Sequence, residues 1–252
     1  MEEAQRRAYT QLVEKVRQSY AEEQNGLVWC DACQEINLWT YWQGRNAHRV
    51  KILLVGQDWG SVYTEKTKNW VKKMCSTPRG EDFPYMEGNK SPTDQNLVEL
   101  FKTIGYNVDK NEGKNRELFF TNLVLGYRNG PNISGGYDPA WGRKDGAYFR
   151  ELVDLLDPEY LFCLGQTTFR AALAALGVTC PRLSPYNDFL RSEQNPVHVV
   201  LDSGTEAKIC ALAHCGGMGT NNRNDKIAMD KRYRLDRQKV DWNWVLRGDQ
   251  NP

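Results

Sequence analysis

Four short runs of apolar residues, separated by helix-forming segments, constrain the fold of this chain more than any other feature of its sequence. The runs lie at residues 50–56, 116–127, 159–164 and 207–214. Continuous apolar runs of this length are typical of strands covered on both faces. Strands that alternate with helices form a largely parallel sheet through right-handed crossovers. We therefore predict an α/β fold, a three-layer α/β/α sandwich around a central, mainly parallel four-stranded sheet.

Helical periodicity surrounds the predicted strands. It predicts helices at residues 4–20, 91–106, 147–157 and 166–177. The stretch 126–146 is rich in Gly, Asn and Pro and predicts one long irregular loop, and loops of that length inside compact domains are usually functional or disordered.

Length and composition indicate one globular domain that spans residues 1–252, with an N-terminal helix and CxxC segment at 1–45 and a C-terminal docking helix and tail at 225–252. No apolar run approaches the roughly 20 residues that span a bilayer, so we expect no membrane partner. Seven cysteines, an odd number, favour a reducing cytosol over a disulfide framework. We expect a cytoplasmic monomer.

Polar side chains follow three of the predicted strands at the point where each strand ends. They are Asp58, Asn122 and His214. Ligands of open parallel sheets bind beyond the carboxyl ends of the strands. Taken singly, each residue has a structural explanation: Asp58 and Asn122 suit turns that hydrogen-bond the backbone, and a lone histidine is more often packed, as we expect for His198 within VHVV.

The ordered set resembles the uracil-DNA glycosylase superfamily. The motifs of that family are GQDPYH, an apolar strand that ends in Asn, and HPSPLS. This chain has GQDWG at 56–60, LFFTN at 118–122 and HCGGMGTNNR at 214–223, and the resemblance covers roughly residues 28–224. It implies an enzyme that flips a nucleotide out of DNA and cleaves its N-glycosidic bond.

The resemblance implies two catalytic residues. Cleavage of the bond leaves positive charge on the sugar and negative charge on the departing base. Asp58 would stabilise the first charge and orient the attacking water, and the N–H of His214 would stabilise the second at the base O2. Asn122 would read the Watson–Crick edge of the base, because an amide presents a donor beside an acceptor.

Further base contacts are implied by the same resemblance, which includes the segment DFPYMEGNKSPTDQNLVEL between the first two motifs. Phe83 would stack on the flipped base, with Tyr85 as the alternative; an ordinary packed aromatic explains Phe83 equally well. Gln57 is also predicted to contact the base. Gly60 stands where GQDPYH has a tyrosine that screens out bases with a C5 substituent, so this chain has room for a larger base.

DNA contacts are implied mainly around the third motif. Met218 stands where the family places an apolar wedge that fills the gap in the duplex; a gap-filling core methionine is the alternative. The other predicted DNA-binding residues are Gly217, Gly219, Asn222, Arg223, Lys72 and Lys73. For the two lysines, a solvated helix face is the simpler explanation.

A CxxC pair, Cys30 and Cys33, raises the question of a metal. Branches of the superfamily with an iron–sulfur cluster place a CxxC about this far ahead of the first motif, but draw further cysteines from the segment after the Asn strand. Here that segment, 123–130, has none, and such clusters need four thiolates. A zinc site that adds His48 or Cys75 stays open. We expect no cofactor.

We therefore expect a monofunctional glycosylase that leaves an abasic site, because no lysine stands in the motifs to attack the sugar. The expected substrate is a C5-substituted pyrimidine, such as a hypermodified phage cytosine in a defence role. Plain uracil and a non-catalytic binding module of the same fold are the alternatives. Polar side chains of the 126–146 loop either line the enlarged pocket or are solvated; they are Tyr127, Arg128, Asn129, Asn132 and Tyr137.

Overall fold

The structure is a computed structural model, and it describes residues 3–30, 36, 50–75, 92–108, 117–131, 136–224 and 235–247. The helices are α1 Glu3–Ser19, α2 Glu65–Cys75, α3 Pro92–Thr103, α4 Pro139–Leu156, α5 Gln166–Ala175, α6 Tyr186–Phe189, α7 Gly217–Arg223 and α8 Asp236–Trp244. The strands are β1 Leu27–Val28, β2 Ile52–Gly56, β3 Leu118–Asn122, β4 Tyr127–Arg128, β5 Tyr160–Leu164, β6 Val197–Val200 and β7 Glu206–Leu212. Among the described helices, none is both long and apolar enough to cross a membrane.

The main sheet has five strands in the order β3-β2-β5-β7-β6, with β6 alone antiparallel to its neighbour. The predicted α/β class and the mainly parallel sheet are confirmed, but the predicted strand number of four is wrong. The strand that sequence analysis missed is β6, which covers the edge of β7. Its residues alternate between partly buried and exposed, so it lacks the continuous apolar run of a buried strand. His198 is exposed on this edge rather than packed.

The predicted strand at 116–127 is two separate elements. After β3, the chain leaves the sheet in a turn, and β4 pairs antiparallel with β1 in a small second sheet. The backbone N–H groups of Leu123 and Val124 donate to the carbonyls of Gly56 and Gln57 at 2.9 and 3.0 Å. These bonds continue the pairing past the strand end and hold the turn beside the end of β2.

Helices cover both faces of the main sheet. On β2, Leu53 and Val55 face a core built with α1, α4 and α5, whereas Ile52 and Leu54 face a second core built with α3 and α8. Trp242 of α8 fills the second core. The predicted three-layer sandwich is therefore confirmed, and the predicted C-terminal docking helix corresponds to α8.

Helix α4 begins earlier than predicted and shortens the long loop. Asp138 caps its first turn by accepting a hydrogen bond from the N–H of Ala140 at 2.8 Å, and Pro139 occupies the first helical position. An Asp-Pro pair is a strong start signal, because proline needs no partner for a missing N–H in the first turn. The predicted loop at 126–146 therefore ends at Asp138.

Asn195 attaches the start of β6 to β7, and its loss should weaken the fold. Its fully buried amide donates to the carbonyls of Leu190 and Ala211 at 2.8 and 3.0 Å and accepts from the N–H of Ala211 at 2.9 Å. Asn195→Ala leaves those groups unpaired, so we expect the free energy of unfolding to fall by about 1–3 kcal/mol in urea titration. The exposed neighbour Gln194→Ala is the control; equal losses in the two variants would contradict this role.

Candidate functional site

The three polar residues predicted from the strand ends meet at the carboxyl edge of the main sheet. Gly56 and Asn122 are register partners at the ends of β2 and β3. Asp58 lies two residues beyond β2, and His214 lies two residues beyond β7. The Asp58 carboxylate is close enough to act electrostatically on the His214 imidazole. The structure therefore brings Asp58, Asn122 and His214 together.

The Asn122 side-chain oxygen lies against the backbone of Gly56 at the end of β2. A Cβ atom added to Gly56 would stand 2.0 Å from the Asn122 side-chain oxygen Oδ1. Asn122 is 3% exposed. Only glycine at position 56 leaves room for the amide, so the first glycine of GQDWG positions the second-motif asparagine.

The Asp58 carboxylate accepts four hydrogen bonds. Arg128 donates from Nε to Oδ1 at 2.9 Å and from Nη2 to Oδ2 at 2.7 Å. The Gly60 N–H donates to Oδ1 at 2.9 Å and the Gln57 side-chain amide to Oδ2 at 2.8 Å. A carboxylate offers about four lone-pair sites, so these donors occupy all of them. The Gln57 amide therefore helps to orient Asp58; its role in reading the base stays a prediction.

Arg128 is the site residue whose role sequence analysis missed. The Asp58 and Arg128 side chains are each 6% exposed, although the two residues lie 70 positions apart in the chain. The guanidinium of Arg128 lies 5.0 Å from the ring centre of Trp141 on α4. The sequence carries no signal that links positions 58 and 128, because the contact exists only once β4 is placed beside the loop after β2.

The segment after Asp58 turns through a left-handed glycine and runs alongside β4. Gly60 has φ +78°, a conformation in which a side chain is strained. Trp59 stacks on Tyr127, with ring centroids 6.3 Å apart and an interplanar angle of 27°. Tyr127 is 1% exposed, so it supports the loop from beneath and does not line an open pocket.

Two other polar residues of the 126–146 loop, Asn129 and Tyr137, contact partners other than Asp58. Asn129 donates its amide to Glu23 near the surface at 2.5 Å. Tyr137 packs edge-to-face on Trp141. Asn132 lies outside the described residues.

His214 presents a neutral imidazole with a proton on Nε2. Its Nδ1 accepts a hydrogen bond from the Gly216 N–H at 2.9 Å, which leaves Nε2 as the donor. Desolvation by the surrounding protein lowers the pKa of His214, and the Asp58 carboxylate partly opposes that effect. His214 as a whole residue is exposed, so solvent limits the cost of charging the ring.

Two glycines after His214 are required by the histidine itself. A Cβ on Gly216 would stand 2.9 Å from the imidazole ring, and a Cβ on Gly219 would stand 2.2 Å from the His214 carbonyl oxygen. Gly217 has no atom within 4 Å of its added Cβ. Gly216 and Gly219 therefore pack the loop onto His214, and Gly217 is the glycine that faces open space.

Two helices of one core layer hold this loop from behind. Asn96 of α3 donates to the Cys215 carbonyl at 2.6 Å, and Gln238 of α8 donates to the His214 carbonyl at 3.3 Å. Both amides are buried. The backbone of the loop is thus fixed while its outer side chains stay free.

The outer surface of α7 carries two of the predicted DNA contacts and excludes a third. Met218 is 77% exposed, which does not fit a core methionine, and Asn222 is exposed. Arg223 is 6% exposed and forms a two-point ion pair with Asp241, at 2.5 and 2.6 Å. The structure corrects the prediction for Arg223: its guanidinium is bound to a buried carboxylate and is not presented to DNA.

Several predicted residues lie outside what the structure describes. Phe83, Tyr85, Cys33 and His48 belong to undescribed stretches; Lys72, Lys73 and Cys75 lie in α2, but their side chains are not described. Cys30 is buried. Among the described residues, no group of three or more Cys, His, Asp and Glu is placed to hold a metal ion.

Comparison with known proteins does not assign this chain to a family. No protein-family model matches it, and no curated protein matches it. The functional interpretation therefore depends on the motifs and on the geometry of the site.

Gly219→Ala should displace His214, whereas Gly217→Ala should not. The added methyl of Gly219→Ala would collide with the His214 carbonyl and Cβ, and overpacking of this kind costs about 1–3 kcal/mol. We expect a lower free energy of unfolding and a shifted His214 imidazole resonance by NMR. Gly217→Ala is the matched control, and similar spectra and stabilities for both variants would argue against this role of Gly219.

The lowered pKa of His214 predicts how stability depends on pH. Because the folded state disfavours the charged imidazole, the unfolded chain binds more protons between the folded pKa and the ordinary value of 6.5. His214 therefore does not destabilise the folded state at neutral pH, but it lowers the free energy of unfolding as pH falls through that window. We expect the stability difference between wild type and His214→Gln to decrease on acidification from about pH 7.5 to pH 5.5, measured by urea unfolding. An increase would show that attraction to Asp58 outweighs desolvation.

Proposed function

We propose that this protein is a monofunctional DNA glycosylase that flips a pyrimidine nucleotide and hydrolyses its N-glycosidic bond to leave an abasic site. The observation that carries the proposal is the convergence of Asp58, Asn122 and His214 at one sheet edge, next to the exposed Met218. The reaction needs a carboxylate to stabilise the sugar cation and an amide to bind the edge of the base. It also needs a neutral imidazole to stabilise the leaving base.

His214 would act on the departing base. Its neutral ring donates through Nε2, because Nδ1 is occupied by the Gly216 N–H at 2.9 Å. As the bond breaks, negative charge develops on the base oxygen, and a fixed N–H donor stabilises that charge more in the transition state than in the ground state. The loop contacts of Asn96 and Gln238 keep the donor in place.

Asp58 and Asn122 would act on the other parts of the nucleotide. Asp58 supplies negative charge near the sugar, where positive charge develops. Asn122 offers a carbonyl oxygen and an NH₂ group to the base edge, and its position over Gly56 limits how it can rotate. The amide can therefore select one pattern of donors and acceptors on the base.

The surface of α7 would contact the DNA. Met218 is an exposed, flexible apolar side chain, the type that enters a base stack to replace a flipped base. Gly217 leaves open space where a phosphate can approach the backbone. Asn222, on the same exposed surface, adds a polar contact.

We propose a pyrimidine with a C5 substituent as the substrate, such as a hypermodified phage cytosine. Gly60 presents no ring to exclude a C5 group, and its φ of +78° favours glycine at this position. Plain uracil is the alternative. The motifs contain no lysine, which supports hydrolysis without a covalent sugar intermediate, and the seven cysteines support a reducing cytosol as the compartment.

A specific observation favours a second candidate function, a DNA-binding module without catalysis. The Asp58 carboxylate already accepts four hydrogen bonds within the protein. A buried, fully paired carboxylate also serves a purely structural role. The two functions differ in base release, since a binding module retains DNA without cleaving the glycosidic bond.

The deciding experiment is base release from matched duplex and single-stranded oligonucleotides. The panel contains uracil, thymine opposite guanine, hydroxymethylcytosine and glucosylated hydroxymethylcytosine, with abasic sites detected by strand cleavage in alkali. We expect release of a C5-substituted base by the wild type. His214→Gln leaves the Asp58–Arg128 pair intact, and we expect it to slow release about 100-fold with DNA binding retained.

Asp58→Asn tests the carboxylate directly. We expect release to be lost and binding kept, together with about 3 kcal/mol of lost stability, because Arg128 remains buried without its carboxylate. Rates are therefore compared per folded molecule. Release of uracil alone would overturn the C5-substituted substrate, and no release by the wild type while DNA binds would favour the binding module.

A further inference from the structure

Arg128 occupies two of the acceptor sites of the Asp58 carboxylate. Its Nε and Nη2 each donate to a different oxygen of Asp58, at 2.9 and 2.7 Å, and both side chains are 6% exposed. The Gly60 N–H and the Gln57 amide supply the other two donors. All four lone-pair sites of the carboxylate face a donor of the protein, so this arrangement offers no site to accept a proton from water.

Arg128 is itself held on both sides. Its backbone N–H donates to the Gly60 carbonyl at 2.9 Å, and its carbonyl accepts from the Val62 N–H at 3.0 Å. The guanidinium also lies 5.0 Å from the ring centre of Trp141 on α4, within the range of a cation–π contact. The backbone hydrogen bonds and the contact with Trp141 hold Arg128 in one position. In this it differs from an exposed, mobile arginine.

We propose that Arg128 is a positioning residue for the glycosylase reaction and that it makes Asp58 a fixed charge instead of a general base. The inference rests on the proposed function. Held by Arg128, the carboxylate keeps one orientation and stabilises the positive charge that develops on the sugar. Such preorganised charge stabilises a transition state without reorganisation during the reaction.

The reaction balances without a protein base. The bond between sugar C1′ and the base nitrogen breaks, and its electron pair leaves with the base. The base oxygen accepts a hydrogen bond from His214 Nε2–H, which keeps its proton. A water oxygen then bonds to C1′. The proton that this water loses is taken up by the departed base anion, so the products are an abasic sugar and a neutral base.

The test is single-turnover base release by Arg128→Gln and Arg128→Lys. Arg128→Gln should slow the chemical step about 100-fold by releasing Asp58 from its orientation, with the dissociation constant for DNA unchanged. Arg128→Lys should recover part of the rate, because an ammonium still donates to one carboxylate oxygen. It also serves as the second variant if Arg128→Gln, which leaves Asp58 buried and unpaired, does not fold.

Arg191→Lys is the matched control. Arg191 donates to Asp241 at 2.8 Å, so the variant removes a guanidinium from another Arg–Asp pair, away from Asp58. We expect an unchanged rate per folded molecule. If the Arg128 variants match this control, the role of Arg128 is structural only and the inference is overturned.

Two further outcomes would overturn the inference. A faster chemical step in Arg128→Gln would mean that Arg128 is a lock that opens to free a general base. A slower single turnover of the wild type in D₂O would mean that a proton moves from water in the rate-limiting step, whereas we expect no such isotope effect. No base release by the wild type on any substrate would overturn the proposed function itself, and the inference with it, so the two failures are distinct.

Discussion

The buried ion pair between Asp58 and Arg128 is the interaction on which the geometry of the site depends. It joins the loop after β2, in the main sheet, to β4, in the small second sheet. Removing two charges from water costs several kcal/mol per ion, and the cost is offset only when the remaining hydrogen-bonding sites are satisfied. Here Gly60 and Gln57 satisfy the carboxylate. The position of the carboxylate, the turn at Gly60 and the attachment of the second sheet are therefore one structural unit.

The opposite side of the site is built on a different principle. His214 is positioned by neutral hydrogen bonds to its loop and by the close packing of Gly216 and Gly219. The loop is held by amides from α3 and α8, on one face of the sheet, whereas Arg128 contacts Trp141 of α4, on the other. Each of the two groups is thus supported by a different helix layer, and the parallel sheet between them sets their separation.

The sequence predicts the buried strands well, because a continuous apolar run bounded by polar residues has few alternatives in a soluble chain. It predicts β6 poorly, since half of the side chains of that strand face solvent. The start of α4 was predicted too late, although Asp138 and Pro139 are a recognised signal for a helix start. The convergence of Asp58, Asn122 and His214 is predictable, because the carboxyl ends of parallel strands meet at one edge. The pairs Asp58–Arg128 and Arg223–Asp241 are not, since each joins charges that nothing in the sequence marks as neighbours.

The glycine pattern after His214 separates two kinds of information within one loop. Gly216 and Gly219 pack against His214, so a side chain at either position would collide with the histidine. Gly217, Met218 and Asn222 instead face open space or solvent. Substitutions at these outward positions can change what the loop contacts without displacing His214, so packing constrains the inner face of the loop and leaves its outer face free to vary.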